Sequence, residues 1–89
     1  LQYLRRSHAQ AQARMAAGAW AEALALYEAA LQHDSLDEAL HRGAIRCLLA
    51  LGEPAAAQRA FERCAQRLMA GLGVAPSAAT LALLSGHAP

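Results

Sequence analysis

Four His, two Cys and a few hydroxyls are the side chains on which any chemistry would rest. Metal ligation would need ligands one helical turn apart, or paired cysteines in a tight loop. His8, His33, His41 and His87 show neither HxxxH nor HExxH spacing. His41 and Cys47 stand six residues apart, which puts them on different faces of one helix. Cys47 and Cys64 form no CxxC pair and read as buried free thiols of a reducing cytoplasm. Ser35 and Ser77 have no nucleophile-elbow or triad context. Gly71-Leu72-Gly73 follows no strand and precedes no Lys, so it is not a phosphate loop. The sequence therefore predicts no catalytic residue, no metal site and no cofactor site, and reads as non-enzymatic.

Composition narrows the alternatives further. The 8 basic residues, all Arg, face 7 acidic ones, for a formal charge of +1. General DNA affinity comes from neutralising many phosphates, and a near-neutral chain lacks that footprint. No stretch reaches the roughly 18 apolar residues of a membrane span, and no signal peptide is visible. Arg without Lys, together with abundant Ala, is the composition of a GC-rich bacterial coding sequence. At 89 residues there is room for one domain, taken as 1–89. The start at Leu1, already inside a helical pattern, is read as a piece of a longer protein.

The elements that would position any site follow from an internal repeat. Ala17-Gly18-Ala19-Trp20-Ala21-Glu22-Ala23-Leu24 and Leu51-Gly52-Glu53-Pro54-Ala55-Ala56-Ala57-Gln58 share one layout. Gly18 and Gly52 lie 34 residues apart, the period of a tetratricopeptide repeat. In that register Ala23 pairs with Ala57, Tyr27 with Phe61, Glu28 with Glu62 and Ala30 with Cys64. Gly closes a turn between antiparallel helices, small residues allow close approach, and an aromatic fills the gap between helix pairs. Helices are expected over about 2–17, 19–33, 36–51 and 54–70, with a short fifth over 77–85 ended by Gly86. Ser35 or Asp37 would cap the third, and Pro54 opens the fourth. Apolar residues recur at three- and four-residue steps, from Trp20 to Leu31, Leu40 to Leu51 and Ala57 to Leu68. No alternating β pattern is present. The fold class is all-α: a tetratricopeptide-like right-handed helical array, with repeats at about 2–34 and 36–70 and a C-terminal capping helix.

A more specific likeness lies in Leu36-Asp37-Glu38-Ala39-Leu40-His41-Arg42, Ile45-Arg46, Leu48-Leu49-Ala50-Leu51-Gly52 and Leu72-Gly73-Val74-Ala75-Pro76-Ser77 with Thr80. Over about residues 15–84 the chain resembles the bacterial transcriptional activator domain. Ala75 and Ala79 stand where that family usually has Glu. The resemblance implies a cytoplasmic role in transcription regulation, with DNA contacts made by a neighbouring winged-helix domain and not by this segment. It favours an interaction or oligomerisation module over a free-standing adaptor or co-chaperone, or an enzyme accessory domain.

The first helix of each tetratricopeptide pair lines the concave groove. That places Arg5, His8 and Gln12 beside Arg42, Arg46 and Leu49. Arg42 and Arg46 are one turn apart and would present two forked donors to a carboxylate or an acidic helix. The competing reading is a solvated face with local pairs such as Glu38 to Arg42. The fifth helix is too short to stand alone in water. It is expected to dock through Leu81, Leu83 and Leu84 over Leu49, Ala60 and Cys64, as the cap a repeat array requires. The absent glutamates would weaken that cap, and its departure would expose an apolar edge to a second copy, giving a homodimer.

Overall fold

A computed structural model describes residues 2–85 of the chain. Gly86, expected to end the fifth helix, and His87 lie outside the described residues. Five helices follow one another: α1 (Gln2–Ala16), α2 (Trp20–His33), α3 (Glu38–Ala50), α4 (Pro54–Leu72) and α5 (Ala78–Ser85). No strand occurs among the described residues. Each helix packs on the next from α1 to α4, and α5 rests on α3 and α4. This is a tetratricopeptide-like helical array.

The two tight turns have the same construction. Gly18 and Gly52 take φ of 78° and 75°, the left-handed region in which a side chain would be strained. The amide after each glycine reaches back to close the preceding helix. Ala19 N donates to Arg14 O at 2.8 Å, and Glu53 N donates to Leu48 O at 2.9 Å. The next helices then start on cue, α4 with Pro54 in its first turn.

Elsewhere the helix limits move for local reasons. Asp37, not Ser35, caps α3, accepting from Ala39 N at 3.0 Å. Asp34 accepts from Leu36 N at 3.1 Å, so residues 34–37 form a turn and α3 starts later than the periodicity predicts. α4 runs past Gly71, because Gly73 is the residue that adopts the left-handed cap.

The core forms two adjoining clusters. Ala11, Ala23, Tyr27, Ala30, Leu40, Ala44 and Cys47 make the first. Ile45, Leu48, Ala57 and Ala60 make the second, edged by Leu49, Phe61, Leu83 and Leu84. The repeat partners Ala23 and Ala57 are both fully buried, and so are Ala30 and Cys64. Tyr27 is buried while Phe61, its partner in register, is half-buried. Leu51 was expected on the α3 stripe, but it follows the helix and is exposed. Ile45, which the stripe omitted, is fully buried.

Tyr27 joins three helices. Its ring lies against Gly43 of α3, where a Cβ would fall closer than 3.0 Å to three ring atoms. His8 of α1 meets the same ring edge-on at 5.4 Å and 81°. The hydroxyl donates to Met15 Sδ at 3.6 Å. A glycine inside a helix costs about 1 kcal/mol relative to alanine. Here it makes room for a buried aromatic, whose burial typically removes roughly 150–250 Å² from water.

Gly43→Ala is expected to destabilise the chain by about 1–3 kcal/mol, despite alanine's better helix propensity. In a Tyr27→Leu background the same change should become neutral or stabilising. Urea unfolding of the four proteins measures this. A stabilising Gly43→Ala in the parent chain would show that the ring does not depend on the missing Cβ.

Candidate functional site

The six residues expected to line a concave face come from α1 and α3. Arg5, His8 and Gln12 share one face of α1. Arg5 and Gln12 are exposed, and His8 is half-buried against Tyr27. Arg46 is exposed on α3 and lies near enough to Tyr27 for its charge to act on the phenol. The Tyr27 hydroxyl is pushed above its ordinary value by burial first and by Cys47 second, with Arg46 opposing. His8, Tyr27 and Arg46 therefore share one neighbourhood.

Arg42 belongs to a different one. Although it sits one turn from Arg46, its Nη1 lies 3.8 Å from Glu38 Oε2 and donates to Thr80 Oγ1 at 3.4 Å. Only a quarter of its side chain is exposed. The guanidinium is committed to the fifth helix, and the two forks do not act as a matched pair. Leu49 is likewise half-buried and packs against the second core cluster, as Leu83 and Leu84 also do.

Glu38 is the centre of that second neighbourhood. Its Oε2 accepts from Ser77 N at 2.7 Å, from Ser77 Oγ at 2.8 Å and from the Thr80 hydroxyl. Thr80 is fully buried, and both its donor and its acceptor capacity are used. Glu38 thus does, from another helix, what a glutamate in the first turn of α5 would do. It sets negative charge at the helix's N-terminus and binds an amide there. Burial alone would raise the Glu38 pKa. The bonds from Thr80 and Ser77, helped by Arg42, outweigh it and hold the carboxyl below 4.5.

The docking face of α5 is Thr80, Leu83 and Leu84, spaced at i, i+3 and i+4. Leu83 and Leu84 touch the second cluster, which includes Ala60. Leu81 lies off this face and is 50% exposed, because buried Thr80 takes the position next to the core. Cys47 and Cys64 are free and buried. Burial, then the nearby Glu38 charge, pushes the Cys64 thiol up to about 11, with Arg42 opposing. Among the described residues no group of three or more His, Cys, Asp or Glu converges as metal ligands would.

Residues 2–85 match the family model described as the bacterial transcriptional activator domain. The chain belongs to this family. No characterised protein and no solved structure matches it. The family match spans all five helices, so α1 and the capping helix are both part of the module. No described helix is long and apolar enough to cross a membrane.

Reasoning from the sequence missed two members of these sites. Gly43 was detectable as an isolated glycine within a helical pattern, a signal of close packing. Glu38 was read only as a partner of Arg42 within its own helix. Nothing local shows that it reaches Ser77 and Thr80.

The clamp is pH-dependent, and its sign follows from the lowered carboxyl. Its stabilisation is fully present above the ordinary value of 4.5 and is lost as pH falls through the lower folded value. In an NMR titration the Ser77 amide should shift with a midpoint below 4.5, accompanied by loosening of α5. Glu38→Gln should leave α5 loosened at neutral pH. An α5 indifferent to both acid and the substitution would show that Glu38 does not hold it.

Proposed function

We propose that this chain is a non-enzymatic protein-interaction module of a cytoplasmic bacterial transcriptional regulator. Its partners are neighbouring domains of the same regulator or another protein, and a second copy where the array's end is uncovered. The family match across all five helices carries this reading. Two further observations support it. The chain's formal charge of +1 gives little net attraction for DNA phosphates, which favours DNA contact through another domain. The chemistry-bearing side chains are spent on structure: Glu38 on the α5 clamp, and both cysteines on the core.

Of the six concave-face residues, Arg5, Gln12 and Arg46 are exposed and His8 is half-buried. These four make the contact surface, while Arg42 and Leu49 brace the helices that carry it. Residues 1–89 act as one unit, with α5 as the cap that closes the second repeat. The exposed side chains at this end, Met69, Leu72, Val74 and Leu81, give the apolar edge through which two copies would meet.

A bacterial two-hybrid assay tests the reading, with the chain set against itself and against the DNA-binding domain of a regulator of this family. At least one pairing should give a signal that Arg5→Glu with Arg46→Glu abolishes while the thermal melt stays unchanged. A gel-shift assay with the chain alone should show no shift at physiological salt. Silence in every pairing, or a clear sub-micromolar DNA shift, would overturn it.

A further inference from the structure

On the opposite side of α3 a groove of about 450 Å³ opens between α2 and α4. Both helices pack on α3, which forms the floor. Ala44 and Leu48, with Leu31 and Ala60 beside them, supply its apolar part, next to His41, whose ring is hydrogen-bonded to Ser35 O. Arg63 and Arg67, one turn apart on α4, line one wall and are exposed. Among the described residues neither guanidinium lies within ion-pair distance of a carboxylate. Arg59 continues the same row one turn earlier. The facing wall carries Glu28 and Gln32, so the groove is basic along one side only.

We infer that this groove docks an acidic, amphipathic segment of another protein, seated on Ala44 and Leu48 with its carboxylates on Arg63 and Arg67. The chemistry matches on both counts. Two forked cations one turn apart meet two carboxylates one turn apart on a docked helix. The stretch from Ala60 to Arg67 spans roughly 10 Å, enough for about two turns of that helix. The apolar floor takes its leucines.

Other occupants fit less well. Nucleic acid would find no Phe, Tyr or Trp to stack on along this lining, and a short row of arginines neutralises few phosphates. A second copy of the described chain offers no free pair of acids one turn apart. Asp34, Asp37 and Glu38 are so spaced, but all three accept hydrogen bonds within their own chain. The groove is distinct from the concave face, so the two surfaces can be tested separately.

The probe is a fluorescently labelled helical peptide with Leu along one edge and Glu one turn apart along the other. Anisotropy with the 89-residue chain is expected to show saturable binding. Arg63→Ala with Arg67→Ala should weaken it on the order of tenfold or more, with an unchanged thermal melt. Arg14→Ala, on α1 and outside the groove lining, should leave it unchanged. The same peptide with Gln for Glu should bind correspondingly less. The inference is overturned if the Glu peptide does not bind, if the Gln peptide binds equally, or if the double variant retains full affinity. It is equally overturned if a DNA duplex displaces the peptide at matched concentration, or if the double variant abolishes self-association instead.

Discussion

One aromatic ring sets the geometry of the first three helices. Tyr27 leaves α2 and is enclosed by His8 and Met15 of α1 and by the bare backbone of Gly43 on α3. A core built mainly from alanine gains little area per residue, so a single large side chain carries a large share of what holds the helices in register. The constraint is steric and mutual. The ring has its place only where α3 presents no Cβ, and α3 keeps a glycine only because the ring occupies the space. His8 inherits this arrangement, since its ring meets Tyr27 edge-on.

The far end of the array is held by polar means. An eight-residue helix with only two leucines on the core has little to keep it in place. The Glu38 carboxylate compensates by taking two hydroxyls and an amide at the start of that helix. The missing glutamates at positions 75 and 79 are thereby offset from α3, and the cap is held more directly than its own sequence implies. Arg42 completes the network, which removes it from the surface available to a partner.

The module thus presents two unlike faces around one central helix. Toward α1, α3 shows Arg46 beside the Tyr27 neighbourhood. Toward the gap between α2 and α4 it shows Ala44 and Leu48, with Arg63 and Arg67 along one wall of the groove. A repeat array separates faces in this way because successive side chains around one helix point to different neighbours.

The sequence by itself determined whatever depends on neighbours close in the chain. Gly18 and Gly52 announce the paired turns, Pro54 opens α4, Ser35 and Asp37 are the two candidate caps for α3, and the helical stripes mark the alanine-rich core. These signals are legible because turn chemistry and helical periodicity act over only a few residues. The resemblance to the family rested on the same local strings, and its final motif already held Ser77 and Thr80. Tertiary structure decided which of these residues meet. Glu38 finds Ser77 across 39 positions, and Arg42 finds Thr80 across 38. Arg42 and Arg46 are adjacent turns of one helix, yet they part company because α5 lies on one side of α3 only. Leu81 falls outside the docking face because Thr80 can satisfy its hydroxyl on Glu38 and Arg42 while filling the buried position. Periodicity shows that a helix has an apolar side, but the element that covers that side is chosen by packing between segments far apart in the chain.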